Sequence, residues 1–201
     1  MNSQEALNIL RAIKDVSFAT VDNEGNPQNR IIDVMRVEKE TLYFLTARGK
    51  DFYRELTESG KVAISGMNEK YQAVRFSGKV EKLENREEWI NKMFEDNPSM
   101  EEIYPGNSRQ ILDAFCISKG KLEFFDLSKN PLHREYFAVG GEIPKKTGFL
   151  IHDDCIECGI CKKKCPEQCI SEGTPYIINQ PGCLHCGLCF EKCPVDAIRR
   201  I

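Results

Sequence analysis

Ala6, Ile9, Leu10 and Ile13 recur at helical spacing near the start of the chain, and Asn2 with Glu5 supplies a capping box ahead of them. Residues 17–21 read as a strand, closed by the turn-rich stretch Asp22, Asn23, Glu24, Gly25, Asn26, Pro27. Residues 28–38 and 41–47 read as the next two strands, joined by a tight turn at Lys39 and Glu40. A short helix starting near Gly49 buries Phe52 and Leu56, and residues 61–66 and 73–83 are further strands. Trp89, Ile90, Met93 and Phe94 share one helical face, and residues 122–127 form a late strand. Many short strands with few helices predict a barrel with peripheral helices, not a βαβ array.

The pattern changes near residue 140. Gly140, Gly141, Pro144 and Gly148 punctuate a segment poor in apolar residues, which reads as a linker over 140–148 between domains at 1–139 and 149–201. After it the chain repeats itself. Cys155, Cys158, Cys161, Cys165 and Pro166 recur as Cys183, Cys186, Cys189, Cys193 and Pro194, displaced by 28 residues. The same offset matches Gly159 with Gly187 and Ile170 with Ile198, so two copies of one small unit are expected to pack together.

Composition sets the limits. With 28 Lys and Arg against 31 Asp and Glu, a net charge of −3 leaves no basic excess to displace counterions, so no nucleic-acid partner is expected. No apolar run approaches the roughly 18 residues of a spanning helix, and the first residues lack a secretory pattern. A soluble cytoplasmic protein with no membrane partner is the expectation. In that compartment nine cysteines inside residues 155–201 point to metal ligation, with disulfides the weaker alternative.

Soft, anionic thiolates suit iron–sulfur cores, and two-residue gaps let three sulfurs wrap one cubane from a single loop. Zinc also accepts CxxC pairs and remains the competing metal. The doubled motif, each copy ending in Cys-Pro, resembles the bacterial ferredoxin with two [4Fe–4S] clusters over residues 150–201. That resemblance implies one cluster on Cys155, Cys158, Cys161 and Cys193, and a second on Cys183, Cys186, Cys189 and Cys165. The ninth cysteine, Cys169, falls where the other copy has Ala197 and is expected to be a small packing residue. Cys116, in the apolar run 111–117, reads as buried hydrophobe. Tyr176 and Ile178 are expected to cover the clusters, and Lys162, Lys163 and Lys164 offer a docking face for an acidic redox partner.

The front domain resembles the FMN-binding split barrel of the pyridoxamine 5′-phosphate oxidase-like superfamily. The residues that carry this are Phe18 to Val21, Gly25 to Arg30, Leu42 to Thr46, Gly49 with Lys50, and Val74 to Val80. The two resemblances imply a mainly β split barrel with peripheral helices, plus a small C-terminal α+β ferredoxin domain. They also imply FMN, with Arg30, Thr46, Lys50 and Arg75 as phosphate contacts, and a homodimer holding the flavin between subunits. Asp51 stands where the oxidase carries a richer basic segment, and residues 132–135 do not match its C-terminal Arg/His signature, so vitamin B6 oxidation is not implied.

These features point to a flavin/iron–sulfur oxidoreductase that passes electrons between two [4Fe–4S] clusters and FMN to reduce a small acceptor, such as a nitroaromatic or another flavin. Its electrons would come from a redox partner protein or small donor, because no GxGxxG follows a strand to hold a nicotinamide. The alternatives are an electron carrier or redox sensor without a substrate pocket, and a split barrel that binds haem or another ligand. Replacing Cys158 with Ser should remove about half of roughly eight irons per chain, whereas Cys169→Ala should leave the iron content unchanged. Iron and sulfide analysis of anaerobically purified protein checks both.

Overall fold

The computed structural model describes residues 1–144 and 146–201; Lys145, inside the expected linker, lies outside them. Helix α1 (Ser3–Ile13) begins where the capping box places it: the Asn2 side chain accepts from the Glu5 N–H, and Glu5 Oε2 accepts from the Asn2 N–H, each at 2.9 Å. Ala6, Leu7 and Leu10 face inward. Then follow β1 (Asp15–Val21), β2 (Pro27–Asp33), β3 (Arg36–Glu38), β4 (Thr41–Ala47) and α2 (Asp51–Ser59). β5 (Lys61–Met67), β6 (Gln72–Lys82), α3 (Arg86–Asp96), α4 (Met100–Ile103), β7 (Leu112–Asp126) and β8 (His133–Val139) complete this part. Among the described residues no helix is long and apolar enough to cross a membrane.

The strands form one curled sheet in the order β2-β1-β5-β6-β7-β4-β3, with β8 paired to β7. The β1–β2, β1–β5, β5–β6, β4–β7 and β3–β4 pairs are antiparallel. Alternation along β1 and β4 drives Phe18 and Phe44 inward, where they meet at 5.0 Å between ring centroids, and Phe115 stacks on Phe44 at 5.7 Å. A second cluster gathers Ile90, Met93 and Phe94 of α3 against Leu45, Leu112 and Met35, with Trp89 stacked on Tyr43 at 4.6 Å. At Gly120 a Cβ would stand 2.4 Å from the Ser77 carbonyl oxygen, so β6 and β7 cross at a separation that only glycine permits.

Three elements differ from the sequence reading. The strand expected over 28–38 is two strands, because Val34 and Met35 are both buried and end the alternation. At this break the chain changes partner: the Val34 N–H bonds the Lys14 carbonyl, and the Met35 N–H bonds that of Tyr43. β7 starts ten residues before the expected 122–127, since its first half is buried on both faces and shows no period-two signal. β8 has no counterpart in that reading.

The chain divides into two compact units. The first holds Met1–Glu69, Ala73–Glu123 and Phe137–Pro144; the second holds Lys70–Gln72, Phe124–Tyr136 and residues 146–201. This partition differs from a division at 140–148. Residues 70–72 and 124–136 belong with the cysteine-bearing part: the Leu127 N–H bonds the Tyr71 carbonyl, and Gly182 lies against Pro131 and the Leu132 carbonyl.

Inside the first unit, Glu55 of α2 is 4% exposed and pairs with Arg30 of β2 at 2.7 Å. The Thr20 hydroxyl bonds both, and the Arg30 guanidinium lies 4.7 Å above the Phe52 ring. Arg30→Ala would strand a buried carboxylate and should cost about 3 kcal/mol of stability. The double variant Arg30→Ala/Glu55→Leu should recover most of that loss; urea unfolding of the three chains measures it.

Candidate functional site

The cysteine repeat is a repeat of backbone geometry. Positive φ occurs at Glu157 and His185 (both 57°), at Gly159 and Gly187 (71° and 83°), and at Gln168 and Asp196 (50° and 52°), always 28 residues apart. The left-handed glycines cap the short helices α5 (Ile160–Lys164) and α6 (Leu188–Glu191) and turn the third cysteine of each copy back toward the first two. Four short strands complete the unit: β9 (Phe149–Ile151) pairs with β12 (Ile198–Arg200), and β10 (Ile170–Ser171) with β11 (Ile177–Ile178). Gly148 opens the segment at φ 146°, where a Cβ would meet Gln180 Oε1 at 2.3 Å.

The sulfurs ring two cavities. Cys155, Cys158, Cys161 and Cys193 line one, closed by Ile151, Tyr176 and Ile198. Cys165, Cys183, Cys186 and Cys189 line the other, with Phe149 and Ile178 beside them. In each set three cysteines come from one copy and the fourth from the other. Backbone N–H groups of Glu157, His185 and Ala197 donate to the sulfurs of Cys155, Cys183 and Cys193 at 3.4, 3.4 and 3.3 Å. Burial pushes the Cys189 thiol up to about 11 and raises Cys161 as well, a cost that a cationic core between the sulfurs would offset.

Cys169 is buried in the hydrophobic cluster of this unit. It lines the second cavity and its Sγ lies 3.5 Å from that of Cys165. The neighbouring Cys169 thiol, with the His185 N–H and the charge of Arg134, lowers Cys183 against the cost of burial. Alignment of the two copies could not show this, because Ala197 has no polar atom in its side chain. Of the lysine run, Lys162 is paired with Glu172 at 2.7 Å, while Lys163 and Lys164 stay exposed.

In the first unit, Thr46 ends β4 and Lys50 sits at the start of α2. Thr46 is 3% exposed, and its hydroxyl has no hydrogen-bond partner among the described residues. Lys50 is exposed and leaves the first N–H groups of the nine-residue α2 without a side-chain cap. A buried orphan hydroxyl, an uncapped helix start and an ammonium fit an anionic group such as a phosphate. The other two residues differ. Arg30 is held by Glu55, and Arg75, exposed on β6, is paired with Glu123 at 3.2 Å.

The cross-strand neighbour of Thr46 is Asp113 on β7, 1% exposed. It collects Arg48 at 3.2 Å, Lys82 at 2.7 Å, Arg86 at 3.0 Å and the Tyr53 hydroxyl at 2.9 Å. These four partners come from the β4–α2 turn, β6, α3 and α2, so no sequence spacing announces them. The hub fixes the turn that carries Thr46 and Lys50.

The family model for pyridoxamine 5′-phosphate oxidase matches residues 3–110, and the 4Fe–4S binding domain matches residues 176–199. The chain belongs to the pyridoxamine 5′-phosphate oxidase family. Its fold is similar to that of a NimC/NimA family protein from Clostridium acetobutylicum, at 24% identity and a TM-score of 0.60, covering 69% of this chain and 92% of that one. A protein related to general stress protein 26, from the same organism, matches at 16% identity and TM-score 0.53, over 68% and 96% of the two chains. A heme binding protein from Mycobacterium smegmatis matches at 11% identity and TM-score 0.52, over 70% and 59%. No curated protein matches.

Burial would raise Asp113, but bonds from Lys82, Tyr53 and Arg48 outweigh it and hold its carboxyl below the ordinary 3.8. Its contribution to stability is therefore complete above that ordinary value and is lost as pH falls through the lowered native one. Asp113→Asn should cost about 2 kcal/mol at neutral pH and flatten the acid limb of the stability curve. Urea midpoints measured across the acid range, parent against variant, check this.

Proposed function

We propose that this chain is a flavin/iron–sulfur oxidoreductase that moves electrons between two [4Fe–4S] clusters and FMN to reduce a small acceptor. The observation that carries the reading is the grouping of the eight motif cysteines around two cavities, four from the motifs to each, with Cys169 beside the second, on a chain whose other unit is a split barrel. FMN, when bound, supplies exchange between one-electron and two-electron transfer. Thr46, Lys50 and the start of α2 are the residues that would hold its phosphate, and the Asp113 hub keeps them in place. Arg30 would act through α2, by way of Glu55, and Arg75 has the weakest claim as a contact. In the second unit Cys155, Cys158, Cys161 and Cys193 hold one cluster, and Cys183, Cys186, Cys189 and Cys165 the other. Tyr176 and Ile178 each shield a different one from water.

A barrel that binds haem is the second reading, favoured by the likeness in fold to the mycobacterial heme binding protein. All three histidines, His133, His152 and His185, belong to the second unit, so an axial ligand from the first would have to be another residue type. A homodimer belongs to the proposal. β2 is an edge strand with Ile31 64% exposed, an apolar edge that a second copy would cover.

The absorbance spectrum of anaerobically purified protein should show flavin bands above broad cluster absorbance, with about eight irons per chain. Thr46→Ala and Lys50→Ala should each weaken FMN binding about tenfold while leaving iron unchanged. A reduced low-potential donor should reduce the flavin much more slowly in Cys158→Ser than in the parent. A Soret band in place of flavin bands, or equal flavin reduction in that variant, would overturn the proposal.

A further inference from the structure

A cavity of about 200 Å³ opens in the first unit between α3 and the single 3₁₀ turn Gly106–Ile111. Glu87, Ile90 and Asn91 stand at i, i+3 and i+4 on α3, so they share one helical face and make one wall. Asn107 and Arg109 of the turn make the other. The Asp113 hub ties the two walls together. Arg86, at the start of α3, bonds the Asp113 carboxylate at 3.0 Å and the Leu112 carbonyl at 2.8 Å, and it also donates to the Gln110 carbonyl within the turn.

With Arg86 occupied, the lining keeps one cation and one anion, and the two do not meet. Glu87 is exposed and Arg109 half-buried, and neither side chain has an ion pair or hydrogen bond among the described residues. The Arg109 guanidinium instead lies 5.6 Å from the centroid of the Phe94 ring. Phe94 is seven residues beyond Glu87, which is about 10 Å along a helix axis. Ile90 falls between them, buried, and gives the cavity an apolar floor. Opposite charges held apart across one cavity complement a molecule that carries opposite charges at its two ends. An inorganic anion would satisfy Arg109 and meet the Glu87 carboxylate. An α-amino acid has both charges on one carbon and would reach only one of the two residues.

We propose that this cavity binds a short unbranched ω-amino carboxylate, with its carboxylate on Arg109, its ammonium on Glu87 and its methylenes across Ile90. Each charged end gains a charge-assisted hydrogen bond, and the side-chain amides of Asn91 and Asn107 stand in the same walls as further polar partners. The site is made of first-unit residues alone and holds whether or not the chain carries flavin or iron.

The test is calorimetric titration of the full, anaerobically purified chain with 5-aminopentanoate. Its isomer norvaline carries both charges on one carbon, and pentanoate and pentylamine carry one charge each. 5-Aminopentanoate should bind one to one, and the other three about tenfold more weakly or not at all. Glu87→Gln and Arg109→Gln should each weaken 5-aminopentanoate about tenfold. Glu87 is exposed and unpaired, so its exchange tests the site even if the half-buried Arg109 position does not tolerate one. Absence of saturable 5-aminopentanoate binding, equal binding of norvaline, pentanoate or pentylamine, or unchanged affinity in Glu87→Gln overturns the proposal. None of these results touches the flavin spectrum or the iron content, so failure here is distinct from failure of the electron-transfer reading.

Discussion

Cys161, Cys169, Cys183 and Cys189 share the buried cluster of the second unit with Phe149, Ile170, Ile178 and Ile198, so under the proposed function the cohesion of that unit would depend on what the sulfurs hold. A unit of about seventy residues with so few aliphatic side chains at its centre is marginal against chain entropy on its own. Thiols add little cohesion to such a core. Thiolates around a cationic group add a great deal, and they also relieve the cost that burial imposes on Cys161 and Cys189. The positive-φ positions that recur every 28 residues serve the same end, since each bends the chain so that sulfurs rather than hydrocarbon point inward.

The first unit solves its problem by the opposite means. A four-phenylalanine centre with α1 and α3 packed at the edges needs no ligand to hold it. Its buried charges, Glu55 and Asp113, are each matched by cations from distant parts of the chain. Such pairs contribute little net stability, but removing one partner is expensive, so they lock the surrounding geometry. Glu55 lies on α2 and Asp113 is bonded by Tyr53 of α2, and Lys50 stands at the start of that helix, four residues after the orphan hydroxyl of Thr46 on β4. A site for an anion needs fixed donors, and the two carboxylate-centred networks supply that rigidity without occupying Thr46 or Lys50.

Electrostatics also separate the residues that the phosphate pattern groups together. Arg30, Thr46, Lys50 and Arg75 are equivalent as sequence, each a donor on or beside a strand. In the fold, Arg30 and Arg75 are paired with carboxylates, while the Thr46 hydroxyl has no partner among the described residues. Cys169 shows the same limit in the second unit. The internal repeat aligns it with Ala197, and spacing alone does not show that its sulfur lies 3.5 Å from that of Cys165.

Local chemistry was legible along the chain. The capping box of α1, the turn at Lys39 and Glu40 and the doubled cysteine motif all rest on neighbours within a few residues, where spacing dictates geometry, whereas the split barrel came from a family resemblance. The partner switch at Val34 and Met35, the early start of β7, the existence of β8 and its share in the second unit were not. Each depends on what lies across the sheet, and a strand buried on both faces carries no alternation to read. The sequence determined which atoms are available as ligands and donors. The tertiary structure decided which of them were already taken, because that follows from carboxylates such as Glu55, Asp113 and Glu123 brought in from tens of residues away.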